Sequence, residues 1–177
     1  MSNRIGTQMS RRTLLRRAAL ASGGCFAALL FGDSGRAFAQ SPQRDLLILN
    51  AALYLEHEAI AAYTAGAGSG LLPAPVLAVA SAFLSDHQYH RDGIAGVLKQ
   101  LGVEPPGPQA SYRFGALHSA DDILRLALRL ELGAATAYRT LASSVENKPV
   151  LGFAAHVMVD EVRHTTVLRN ALTLPNY

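Results

Sequence analysis

The sequence predicts an all-α protein, a four-helix bundle built from two antiparallel hairpins joined by one long crossover. Three observations predict it. Beyond residue 39 the chain is rich in Ala and Leu, has no Trp, and shows no alternating run of Val, Ile and Thr, so helical periodicity prevails over strand periodicity. The second half also repeats the first. Residues 48–63 read ILNAALYLEHEAIAAY and residues 123–138 read ILRLALRLELGAATAY, an offset of 75 that sets Glu56 on Glu131 and Tyr63 on Tyr138. Finally, the breaks between apolar segments are short, long and short in turn.

The first 39 residues stand apart. Ser10-Arg11-Arg12-Thr13-Leu14-Leu15 has the form of a twin-arginine export signal, a modestly apolar stretch covers 18–30, and Ala37-Phe38-Ala39 places small residues where a signal peptidase reads them. The expectation is cleavage before Gln40, a periplasmic or otherwise exported location, the twin-arginine translocase as partner during export, and one bundle domain over 40–177. The apolar stretch is too short and Gly-rich for a membrane span, so the mature chain is expected to have no stable membrane insertion. Residues 1–39 carry six Arg and one Asp, a charge of +5 against +3 for the whole chain, which leaves −2 for the remainder. The basic balance therefore belongs to the leader. Lys99 and Lys148 are the only lysines beyond it, no basic stripe survives, and no nucleic-acid partner is expected. The single cysteine, Cys25, lies in the leader, which excludes disulfides and thiolate metal sites from the mature domain.

The 138 remaining residues suffice for one core. Helix one is predicted over about 43–65, with Leu49, Ala52 or Leu53, Glu56, Ile60 and Tyr63 on one stripe. The run Gly66-Ala67-Gly68-Ser69-Gly70 ends it. Pro73 and Pro75 suit the first turn of helix two, which runs to about residue 101 before Gly102. A Pro/Gly-rich connection covers 103–118. Ser119 caps helix three, with Asp122 in the capping-box position, and that helix is predicted to reach about residue 145. Asn147 and Pro149 mark a turn and the start of helix four, which ends near residue 172. The middle connection, at roughly 3.3 Å per residue, could stretch about 50 Å. A helix of about 25 residues is roughly 38 Å long, so this connection can return along the whole bundle.

The residues that carry chemistry follow the repeat. Residues 86–90 read DHQYH and 160–164 read DEVRH, an offset of 74 that sets His90 on His164 and His87 on Glu161. Each half thus has one carboxylate within an apolar helix, then a pair spaced i, i+3. Side chains so spaced share a helix face, and four helices can direct them to one point. A buried carboxylate without a partner costs several kcal/mol or takes up a proton, and a metal ion removes that cost. Glu56, His87, His90, Glu131, Glu161 and His164 are the expected ligands. Glu58 lies about 200° round the helix from Glu56 and is set aside. Asp86 and Asp160 fall off the inward face and are expected beside the ligands or at the surface. His57 is expected on a flank, His118 in the crossover and His156 at the core or surface. Tyr63 and Tyr138 are expected to serve bundle packing rather than redox chemistry, with a hydrogen-bond donor's role beside a metal as the alternative.

On these residues the chain resembles the ferritin-like superfamily of di-iron-carboxylate proteins, and within it the exported bacterial ferritin-like domain group. In that superfamily the first and third helices each give a Glu, and the second and fourth each give Glu-x-x-His. Glu56 and Glu131 match the single carboxylates, Glu161 and His164 the fourth-helix pair, and His90 the second-helix histidine. His87 stands where the pattern has Glu, which turns four carboxylates and two histidines into three and three. The resemblance implies a ferritin-like bundle holding iron, as one ion or a pair, with manganese or zinc as alternatives. It also implies an oxidoreductase reacting with dioxygen or peroxide. The rival expectation is a non-enzymatic cell-envelope stress or interaction bundle with a degenerate site.

Overall fold

The computed structural model describes residues 42–145 and 147–173, and the expected export signal and its cleavage point lie outside them. Four helices follow in order: α1 (Pro42–Gly68), α2 (Ala74–Gln100), α3 (Ala120–Ala142) and α4 (Lys148–Thr173). No strand occurs among the described residues, and none of their helices is long and apolar enough to cross a membrane. α1 pairs with α2 and α3 with α4, while α1 also packs on α3 and α2 on α4. The fold is the all-α four-helix bundle of two hairpins that the sequence predicts.

The ends of the helices have local causes. Pro75 sits in the first turn of α2, where a missing N–H costs nothing. Gly102, at φ +75°, takes the left-handed position that stops it. The Ser119 hydroxyl caps α3 by accepting from the Asp122 N–H at 3.2 Å, and the Asp122 carboxylate accepts from the His118 N–H at 3.0 Å. Two boundaries differ from expectation. α1 continues through Gly66 to Gly68, because Gly66 lies against Ile123 of α3, where a Cβ would come within 2.8 Å of the Ile123 side chain. Close packing keeps that glycine in the helix. α3 stops at Ala142, where Ser143 and Ser144 turn the chain. The crossover is held to α1 by His57, whose Nε2 lies 3.1 Å from the Pro106 carbonyl.

The buried faces keep 3–4 spacing. α1 buries Leu49, Ala52, Leu53, Glu56, Ala59 and Tyr63, and α2 buries Ala80, Phe83, His87, His90, Ile94 and Leu98. Ionisable groups therefore interrupt an otherwise apolar core. Each fully buried Leu or Ile contributes roughly 1.5–3 kcal/mol. Leu49, Leu53, Ile94, Leu98 and Leu141 are all enclosed around the polar groups.

Candidate metal centre

All six expected ligands lie in one enclosed cluster, each no more than 1% exposed. They form two overlapping groups. Glu56, His87, His90 and Glu161 make one; His87, Glu131, Glu161 and His164 make the other; in each, one nitrogen or oxygen per residue lies within 4.8 Å of the rest. His87 and Glu161 belong to both.

The spacing within the first group fits a metal. A tetrahedral ion with bonds of about 2.1 Å holds its ligand atoms roughly 3.4 Å apart. Here His87 Nδ1 lies 2.9 Å from Glu56 Oε2 and 3.8 Å from Glu161 Oε1, while His90 Nδ1 lies 3.7 Å and 3.5 Å from the same two oxygens. In the second group His87 Nε2 is 3.2 Å from Glu131 Oε1, and His164 Nδ1 is 3.4 Å from Glu131 Oε2. Three inward atoms have no hydrogen-bond partner among the described residues: His90 Nδ1 and both oxygens of Glu161. Buried polar atoms are rarely left so, and these three point at the place an ion would satisfy.

A ring of supporting contacts surrounds the ligands, and it follows the repeat. Tyr63 donates its hydroxyl to Glu131, and Tyr138 donates to Glu56. Both tyrosines thus take the donor role that stood beside packing: lying seven residues past its own Glu, each shares the inward face and reaches the carboxylate of the opposite hairpin. Asp86 Oδ2 lies 3.0 Å from His164 Nε2, and Asp160 Oδ2 lies 3.2 Å from His90 Nε2. Each Asp fixes the outer nitrogen of a histidine and turns Nδ1 inward, an arrangement that orients and strengthens a ligand. Arg163 ties both Asp residues together, at 2.6 Å and 3.2 Å. Sequence reasoning did not single out Arg163. The doubled tyrosines and aspartates at matched repeat positions were the available signal for the others.

The remaining candidates stay outside. His118 is exposed in the crossover. His156 is 62% exposed, and its Nε2 lies 3.7 Å from Asp160. Glu58 is half-buried away from the cluster. Beyond Phe83 and Tyr63 lies an apolar cavity of about 320 Å³, lined also by Val76, Val79, Leu124 and Leu168. Phe83 stacks on His164 with ring centroids 3.8 Å apart, so it is shared by the cavity and the cluster.

Charge within the cluster is divided unevenly. Burial works against a charge on His87, but Glu131 and Glu56 outweigh it and hold its pKa well above the ordinary imidazole value. Burial likewise opposes a charge on His90, yet Glu56 and Asp160 raise its pKa. Glu56 and Glu131 are desolvated, but their histidine partners hold both below the usual carboxylate value. Burial and the neighbouring Glu131 push Glu161 well above it. His87 and His90 are thus biased toward their charged form by the carboxylates beside them, and Glu161 toward its neutral form by burial and Glu131. Tyr138→Phe would leave the charged Glu56 short of a buried donor and is expected to cost about 1–3 kcal/mol, read as a lower denaturation midpoint.

The ferritin-like domain family is matched over residues 44–174. No protein of curated function matches the chain in sequence. Among solved structures, a conserved hypothetical protein, rv2844, from Mycobacterium tuberculosis is similar at a TM-score of 0.69 and 30% identity, over 75% of this chain and 94% of that one. A ferritin-like, diiron-carboxylate protein from Bacillus anthracis str. Ames is similar at 0.67 and 20% identity, over 76% and 100%. A dodecameric thioferritin, the bacterioferritin-related protein from Bacteroides fragilis, is similar at 0.68 and 19% identity, over 86% and 94%. The last two likenesses concern the fold.

Proposed function

The chain belongs to the ferritin-like domain family, and from that premise we propose that it is an exported metal-binding protein holding iron within its bundle. Glu56, Glu131 and Glu161 supply oxygen, and His87, His90 and His164 supply nitrogen. The observation that carries the reading is the set of orphaned inward atoms, His90 Nδ1 and both Glu161 oxygens, inside two overlapping ligand groups. Such a mixed oxygen and imidazole set suits iron, with manganese and zinc as alternatives. Iron bound there supplies one-electron chemistry toward dioxygen or peroxide. The protein's own residues exclude water from the cluster, hold a proton on each tyrosine oxygen facing Glu56 and Glu131, and fix the histidine rings through Asp86 and Asp160. The apolar cavity beside Phe83 and Tyr63 suits an apolar reactant such as dioxygen better than a charged one.

Elemental analysis of protein purified without added metal tests this reading. About two equivalents of iron or manganese are expected, and a folded protein that stays metal-free after exposure to Fe(II), Mn(II) and Zn(II) overturns it. That outcome would favour a second reading, an interaction bundle whose groups pair with one another, which His87 supports by contacting both Glu56 and Glu131. Export by the twin-arginine route, which carries folded proteins, fits a metal loaded before transport. Mass spectrometry of the exported protein should find its first residue at Gln40, and an intact leader on it would refute the cleavage.

Metal affinity is expected to rise with pH. His87, His90 and Glu161 all have raised pKa values in the metal-free protein, so a bound ion displaces their protons. Each displaced proton changes affinity by about tenfold per pH unit while the pH lies below that group's pKa. Zinc titrations at pH 6 and pH 8 should show weaker binding at pH 6; equal affinities would contradict the assignment.

A further inference from the structure

We propose that His87 bridges the two ligand groups through both ring nitrogens, presenting Nδ1 to the Glu56–His90 side and Nε2 to the Glu131–His164 side. The inference rests on the metal-binding reading above and concerns how two ions share the cluster. Only His87 and Glu161 belong to both groups. A carboxylate can serve two ions with its two oxygens. An imidazole can do so only with its two nitrogens, which face opposite directions.

The surroundings of the three histidines separate their roles. His90 and His164 each have their outer nitrogen held by a carboxylate, Asp160 at 3.2 Å and Asp86 at 3.0 Å. Each therefore has one nitrogen for an ion and one for an anchor. His87 has no outer anchor among the described residues. Its Nδ1 lies 2.9 Å from Glu56 and its Nε2 lies 3.2 Å from Glu131, so each nitrogen is directed at the carboxylate of a different group. The ring is confined, with Tyr63 centred 5.3 Å away, His164 5.4 Å and His90 5.8 Å. At 1% exposure it is buried. A ring so enclosed, with both nitrogens facing ligand carboxylates, is set out as a bridge. Two divalent ions held there would take the ring as an imidazolate, with any protons on its nitrogens released to solvent. The replacement of the expected Glu by His thus exchanges a flexible bridging carboxylate for a rigid bridging ring.

The test uses the full chain, labelled with ¹⁵N-histidine and titrated with Zn(II) as a diamagnetic probe. Two equivalents should bind. In the loaded protein both His87 nitrogens should show metal-bound shifts with no attached proton, while His90 and His164 each keep one N–H. The missing signals of His87→Gln assign the spectrum. His87→Ala should weaken both ions together, by about 10–100-fold each, as loss of an important site contact does; His87→Gln, closer in size and shown folded by circular dichroism, should do the same. Two bound ions with a proton retained on His87 would overturn the bridge and leave the metal centre standing. So would a single equivalent, or variants in which one ion binds unaltered. A wild-type protein that binds no zinc, iron or manganese would overturn the metal centre itself, and the bridge with it.

Discussion

Glu161→Leu should stabilise the metal-free protein and remove its capacity for two ions. Both oxygens of this fully buried carboxyl lack a partner among the described residues. A buried polar group left unsatisfied costs about 1–3 kcal/mol, and an apolar group of similar shape removes that cost. A melting temperature several degrees higher is therefore expected without metal. The gain should grow with pH. Burial and Glu131 raise the Glu161 pKa, so the native state keeps a proton that the unfolded chain releases. The contribution of Glu161 to stability is thus greatest below the ordinary carboxylate range and declines as pH rises toward its folded pKa. Because Glu161 lies in both ligand groups, its loss should weaken both ions. Calorimetry at pH 4 and pH 7, with zinc titration alongside, measures both effects. A lower melting temperature than wild type at pH 7 would show that the carboxyl supports the metal-free fold.

Metal loading should produce the largest change in the wild type. An ion that binds only the folded state, free at about a thousand times its Kd, adds about 4 kcal/mol per site. The ligands run from Glu56 to His164, and an unfolded chain does not gather residues so far apart. A melting temperature raised by roughly 10 °C or more is expected from two sites, reversed by chelator. Glu161→Leu should lose most of that increment. A wild-type melting temperature that does not respond to saturating Fe(II), Mn(II) or Zn(II) would contradict metal binding by the folded protein.

Much of this arrangement was legible in the sequence because an internal repeat carries register. Once Glu56 aligned with Glu131 and His87-x-x-His90 with Glu161-x-x-His164, helical geometry placed all six on inward faces. What the repeat could not show was direction across the bundle. The Tyr63 hydroxyl reaches a carboxylate 68 positions away and that of Tyr138 one 82 away, and nothing along either helix names those partners. Ring orientation was hidden for the same reason. Spacing puts His87 beside His90, but only the docked helices aim its two nitrogens at Glu56 and Glu131 while an Asp holds the outer nitrogen of His90. Helix ends failed where packing overruled composition, as at Gly66. Its company of glycines reads as a turn, yet its fit against Ile123 keeps it helical.

The four supporting contacts all run from one hairpin to the other: Tyr63 to Glu131, Tyr138 to Glu56, Asp86 to His164, and Asp160 to His90. Neither hairpin owns a finished half of the centre. A folding intermediate with both hairpins formed but undocked has histidines without their Asp anchors and carboxylates without their tyrosine donors, and each ligand group lacks the member that the other hairpin supplies, so an ion gains less by binding it. Ion capture is then a timestamp on the last assembly step, and it locks the docked arrangement without trapping its precursors.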